Sequence, residues 1–140
     1  MKKNFKNSPV NVKLKLAALW TALMFLYVYA DIQHFVLQPG SLSEIISGSI
    51  AGVEITALFL VGAAVLMSIP SSMIVLSIFL SAKINRWLNI IVGSIFTVLS
   101  VIVWAIPGGD AWAYYRYYNF VESIFTSLIV WNAIKWPKEE

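Results

Sequence analysis

Asp31, His34, Glu54 and Glu122 stand in or beside long apolar runs of this 140-residue chain. An ionisable side chain at the centre of a membrane helix costs roughly 2.5–3.5 kcal/mol on insertion scales, and less towards the ends. Such positions are therefore the first to read for chemistry. Tyr27, Asp31 and His34 lie at i, i+4 and i+7, on one helical face. Tyr115, Asn119, Glu122 and Thr126 lie at i, i+4, i+7 and i+11 on another. The candidate ligand-binding set is Tyr27, Asp31, His34, Glu54, Tyr115, Asn119 and Glu122. It brings hydroxyls, an amide, an imidazole and carboxyls to one depth. Such groups can relay a proton, hold a cation, or hydrogen-bond the polar head of an isoprenoid or quinone-like lipid. Carboxyls gathered in a low dielectric hold protons more tightly, and groups perturbed in this way mark functional sites.

The same residues admit a plainer reading, in which Asp31, His34 and Glu54 sit hydrated among lipid headgroups. On that reading the tyrosines 114, 115, 117 and 118 form an interfacial aromatic belt. Arg116, within that belt, can pair with Asp110, Glu122 or a lipid phosphate. Several chemistries are excluded outright. The chain has no cysteine and a single histidine, which removes thiol redox chemistry, thiolate zinc sites and any multi-histidine metal or haem centre. No nucleophile elbow surrounds a serine, so no catalytic residue and no metal site is assigned. No cofactor is identified, and whether the chain is an enzyme stays open.

The elements that must position these residues are membrane helices. Hydrophobic residues make up 59% of the chain and charged residues 12%. A soluble domain carries about 25% charged residues; half that number cannot cover a surface in water. About 20 apolar residues span the hydrocarbon core, and the chain divides into spans at about 14–36, 56–80, 87–106 and 116–136. The first is read as a retained anchor, too long for a signal peptide and with no small-residue cleavage site after it. Between the first two spans, Ser41-Leu-Ser-Glu44 has the form of a capping box in a surface loop with one short amphipathic turn. Pro70 is expected inside a continuous, bent second span, with Ser68, Ser71 or Ser72 near the Leu66 carbonyl that the proline deprives of its partner. Residues 81–86 read as a polar turn. Small or weakly polar stripes, Ala64, Ser68 and Ser72 in the second span and Asn89, Gly93, Thr97, Ser100 and Trp104 in the third, are expected to face inward.

Orientation follows from the basic residues. Lys2, Lys3, Lys6, Lys13, Lys15, Lys83, Arg86, Lys135 and Lys138 fall on one side of a four-span arrangement, leaving Arg116 alone on the other. The positive side is cytoplasmic. A fifth crossing, made by splitting the second span at Pro70, would break that asymmetry. The clustering of these charges, without an aromatic-interleaved basic face, also argues against nucleic acid as a partner.

Three blocks, Val12-Lys-Leu-Lys-Leu-Ala-Ala-Leu-Trp20 with Met24-Phe-Leu-Tyr27 and Asp31, Lys83-Ile-Asn-Arg-Trp-Leu-Asn-Ile-Ile-Val-Gly93, and Leu128-Ile-Val-Trp131 through Lys135-Trp-Pro137, resemble a family of small bacterial four-helix membrane proteins. That family brings no established activity. More distantly the layout is similar to the DoxX-like proteins, and that likeness implies a quinone or lipid site. The expectation is an all-α, four-transmembrane-helix bundle in a bacterial inner membrane, both termini cytoplasmic. It would bind or pass a proton, a cation or an isoprenoid or quinone-like lipid at an outward-facing polar pocket. Two alternatives stand beside it: a quinone-binding subunit of a membrane oxidoreductase, with Tyr27, His34 and Glu122 near the headgroup, and a structural or accessory subunit. Partners on all three readings are membrane lipids, with a homo-oligomer or a membrane partner subunit in addition.

The four-span reading places residue 84 in the cytoplasm. A cysteine introduced there should react with a membrane-impermeant maleimide only from the cytoplasmic side. Labelling from the outside alone would overturn the arrangement.

Overall fold

The computed structural model describes residues 9–50, 52–105 and 113–137. Lys2, Lys3, Lys6, Lys138 and Asp110 lie outside the described residues. The chain is mostly helical: α1 (Val12–Ile32) runs on into a π-helical turn (Gln33–Leu37), followed by α2 (Ser41–Ile46), strands β1 (Ser49–Ile50) and β2 (Val53–Glu54), then α3 (Ala57–Phe79), α4 (Ala82–Ala105) and α5 (Ala113–Ile134). Three helical stretches are long and apolar enough to cross a membrane: residues Val12–Leu37, Ala57–Phe79 and Ala82–Ala105. Their outer faces are bare apolar surface, with Leu58 82% and Phe79 80% exposed, as expected of helices solvated by lipid rather than water.

Polar ends fix where the helices start. The Asn11 side chain accepts the Lys13 backbone N–H at 2.9 Å, and Thr56 Oγ1 accepts that of Phe59 at 3.1 Å. The C-terminus of α3 is closed from another helix: Lys13 Nζ donates to the Leu80 carbonyl at 2.6 Å and to that of Ile78 at 3.2 Å. A cation is well placed against the last carbonyls of a helix. The same bonds show that α1 begins where α3 ends. Arg86 Nε donates to the Ala133 carbonyl at 3.2 Å, so α4 begins where α5 ends. The four long helices thus alternate in direction, and the described ends of the chain lie at one end of the bundle.

Between the helices sits a small core of Leu16, Trp20, Leu23, Met73 and Ile129, all buried. Trp20 meets Phe96 edge-on at 6.2 Å. The tightest helix pair is α4 with α5, and Gly93 is the reason. A Cβ there would lie 2.9 Å from Val130 Cγ2 and 3.2 Å from Ile129 Cγ2, so only glycine admits this approach.

Beside the core lies a closed polar node. Asn89 Oδ1 accepts from Trp20 Nε1 at 2.7 Å and from Ser77 Oγ at 3.4 Å, while Asn89 Nδ2 donates to Asn85 Oδ1 at 2.7 Å. Asn85 Nδ2 in turn donates to the Ser77 carbonyl. Asn85, Asn89 and Ser77 are fully buried. The node explains why residues 81–86 are not the expected turn. Asn85 is drawn into the bundle, its N–H bonds the Ser81 carbonyl at 2.9 Å, and α4 starts at Ala82, with Lys83 and Arg86 on its opening turns.

Other expectations shift as well. Pro70 does lie inside one continuous helix. Its neighbours, however, do not serve the Leu66 carbonyl: Ser68 Oγ donates to Ala64 O at 2.7 Å and Ser71 Oγ to Met67 O at 2.9 Å. Both serines are thus satisfied on their own helix, and Ser71 Oγ also lies 3.6 Å from Met24 Sδ of α1. Ala64, Ser68 and Ser72 all face outward, and the buried face of α3 is Pro70, Met73 and Ser77. In α4 the stripe is buried at Asn89, Gly93 and Ser100, half-buried at Thr97 and exposed at Trp104. The capping box also gives way. Gly40, at a φ of +88° that favours glycine, is the cap of α2, and the Glu44 carboxylate reaches forward to accept the Gly52 N–H at 2.8 Å.

Replacing the node's centre tests how far it holds three helices together. Asn89→Leu leaves Trp20 Nε1 and Asn85 without their partner and should lower unfolding free energy in mixed micelles by about 1–3 kcal/mol. Asn132→Leu removes only a bond to the helix's own Leu128 carbonyl and should change it by less than about 0.5 kcal/mol. Equal effects of the two would show that the node contributes nothing particular.

Candidate functional site

The far end of the bundle, where α1 finishes and α5 begins, holds most of the candidate residues. Glu122 is 4% exposed, and Ser100 Oγ from α4 donates to its Oε2 at 3.5 Å. Tyr27 from α1 reaches the same place, near both Ser100 and Glu122. Glu122, Ser100 and Tyr27 thus join three helices. The charged group acting on Glu122 is another acid, Asp31, which also acts on Tyr115. Tyr27, Asp31, Tyr115 and Glu122 are therefore one electrostatic neighbourhood, as the helical spacing anticipates. A carboxyl at this depth, facing a second acid, must hydrogen-bond, take up a proton or share one.

Asp31 lies at the open edge of this group. Its side chain is exposed on the flank of α1, beside His34, rather than in the bundle interior. A short polar group near a helix end reaches water more readily than a buried partner, and Ala30 takes the inward place instead. The cluster therefore runs from a buried acid to an exposed one.

His34 is buried four residues after Ala30, on the inward face of the first span, within a turn of different pitch. The turn from Gln33 to Leu37 is π-helical, closed by the Gln38 N–H on the Gln33 carbonyl at 3.2 Å. A π turn carries one residue more than an α turn and often occurs at functional sites. Here His34 Nδ1 lies 2.8 Å from Gln38 Oε1 and 3.2 Å from the Tyr114 hydroxyl, and that hydroxyl donates to the same Gln38 oxygen. Since the Gln38 oxygen only accepts, Nδ1 carries the imidazole proton in this arrangement. The His34 ring stands 6.0 Å from Tyr115 and 5.3 Å from Phe35. Tyr118 donates to Gln33 Oε1 at 3.2 Å. Three bonds thus tie the last turn of the first span to the tyrosines of α5, whose role exceeds that of an aromatic belt.

Two candidates stand apart. Asn119 is buried, but its amide donates to the Tyr115 carbonyl one turn earlier at 2.9 Å, so it closes its own helix. Glu54 is exposed on β2, paired through the backbone with Ser49. It precedes α3 rather than descending with it, because the hairpin lifts it out of the helical segment. Among the described residues Arg116 makes no ion pair with Glu122, and it lies over the Trp104 ring at 5.6 Å. The residues that sequence spacing missed are Gln38, Gln33 and Tyr114, the last placed only in the aromatic belt. Ser100 appeared only as a packing residue. Among the described residues no group of three or more His, Asp or Glu side chains is arranged to hold a metal ion.

Tyr114→Phe keeps the ring and removes the hydroxyl shared by His34 and Gln38. Amide hydrogen exchange at residues 33–38 should quicken about fivefold, the equivalent of about 1 kcal/mol of local opening, while exchange at Trp20 and Leu23 stays unchanged. Unaltered exchange at 33–38 would show that the π turn does not depend on the tyrosine.

No curated protein and no solved structure matches the chain. A family model does, along residues 3–140, and its description is a family of unknown function, DUF6326. Matched over nearly its whole length, the chain belongs to the DUF6326 family.

Proposed function

We propose that the protein crosses a bacterial inner membrane four times, with both termini cytoplasmic, and that its outward-facing polar cluster takes up and passes a proton. The fourth crossing is α5. It holds four tyrosines, Arg116, Asn119 and Glu122, which lower its apolarity, yet its 22 residues reach about 33 Å at 1.5 Å per residue. It also packs along both α1 and α4, and neighbours that lie in lipid hold it at their own depth. The basic residues at the other end of the bundle, Lys13, Lys83, Arg86 and Lys135, set that end on the cytoplasmic side.

The observation that supports the proton reading is the buried Glu122 carboxyl, bonded by Ser100 and near enough to the exposed acid Asp31 and to Tyr27 for their charges to act on one another. One acid is sheltered and the other is accessible, so a proton shared between them has a way in. Hydroxyl groups that both donate and accept extend the path towards the bundle interior. A proton also needs no space beyond that of the side chains.

The test is relaxation of an imposed pH gradient in proteoliposomes, followed with an entrapped pH dye. Wild-type protein should dissipate the gradient faster than protein-free vesicles. Glu122→Gln should slow dissipation at least about tenfold, the loss of one positioned proton-transfer group contributing roughly 10²–10⁴-fold at most. Its helical content should be retained, because the amide replaces a protonated carboxyl in most hydrogen bonds. Wild-type rates no faster than empty vesicles, or an unchanged rate in Glu122→Gln, would sink the proposal.

A further inference from the structure

At the opposite end of the bundle the first turns of α4 and the residues after α5 enclose a cavity of about 200 Å³, lined by Ala82, Lys83, Arg86, Trp87, Trp136 and Pro137. We infer that this notch binds the phosphate of an anionic membrane lipid. The inference rests on the membrane reading of the helices and is independent of proton handling at Glu122.

The Arg86 guanidinium is fixed before any ligand arrives. Its Nε donates to the Ala133 carbonyl at 3.2 Å, and its carbon stands 5.6 Å from the Trp87 ring centroid. The Nη groups make no further bond among the described residues, which leaves the guanidinium fork to meet phosphate oxygens. Lys83, three residues earlier on the same helix, is exposed on the wall of the same cavity, and among the described residues no acid lines it. Tryptophans on both walls mark the headgroup level of a bilayer.

Size and surroundings favour a lipid over a free anion. At about 30 Å³ per water, the cavity takes a phosphate and its glycerol, and not the chains attached to them. The chains have a track. Ile84, Trp87 and Ile91 lie at i, i+3 and i+7 on α4 and are 54%, 52% and 53% exposed, an apolar strip leading from the notch towards the bilayer interior. Lys13 and Lys135, at the same end of the bundle, add positive potential.

Native mass spectrometry of the full-length protein, with phosphatidylglycerol and phosphatidylcholine added in equal amounts, reads the site directly. Wild-type protein should retain phosphatidylglycerol preferentially. Lys83→Gln, which disturbs no packing contact, and Arg86→Gln should each reduce that retention about fivefold, as expected for one basic residue near a membrane surface. Arg116→Gln, at the other end, should leave it unchanged, and millimolar inorganic phosphate should not displace the lipid. Unchanged retention in Lys83→Gln and Arg86→Gln would overturn the inference. So would an equal fall in Arg116→Gln, which points to charge alone, or displacement by phosphate, which points to a free-anion site. A several-fold gain on Glu139→Gln with Glu140→Gln would place the chain's own carboxylates in the notch and overturn it too.

Discussion

Lipid offers no hydrogen bonds, and the Asn89 amide is where this bundle meets that constraint most directly. Its oxygen takes the indole N–H of Trp20 from α1 and the hydroxyl of Ser77 from α3, while its nitrogen holds Asn85 one turn below. An amide left bare at this depth would be expensive, so the three helices can separate only by breaking all these bonds together. Apolar contact alone does not specify which helices meet in a membrane, because lipid tails are as apolar as leucine. Gly93 and the Asn89 node supply that selection: the glycine chooses α5 for α4, and the node chooses α1 and α3.

The two polar regions differ in how complete they are. Around Asn89 each partner is a neutral group and each bond is closed within the bundle. Around Glu122 the partners are a serine at the limit of hydrogen-bonding distance, a tyrosine and a second acid. The first arrangement is suited to rigidity; on the proton reading proposed above, the second is suited to changing its proton content. Their separation along the bundle lets one end stay fixed while the other responds to its surroundings.

Much of this was readable in the sequence, because helical spacing depends only on backbone geometry. The α3 boundaries, the continuous helix through Pro70 and the grouping of Tyr27, Asp31, Tyr115 and Glu122 all follow from composition and period. What spacing cannot convey is which face a weakly polar helix turns inward. Ser68 and Ser72 resemble packing residues, yet a serine can satisfy itself on its own helix, and Met73 and Ser77 take the interior instead. Asn85 reads as a turn residue beside Lys83 and Arg86 until its tertiary partners are seen. Gln38, next to Pro39 and Gly40, carries every local sign of a helix stop, and its contact with Tyr114 spans 76 residues. Glu54 reads as the outer start of the second span because the hairpin before α3 has only two residues in each strand, too few to show an alternating pattern.

The π turn at Gln33–Leu37 gives the first span two independent angular registers. One extra residue in a turn rotates everything beyond it by about 100° relative to the helix below. The face that meets the core at Leu16, Trp20 and Leu23 runs on through Ala30 to His34, and the residues beyond the turn are set at a different angle from it. Substitutions that re-aim the outer end need not disturb the packing beneath, and the core can be refined without rotating the polar cluster. Within one helix, the demands of assembly and those of the site can be met by separate sets of residues, each able to vary at its own pace.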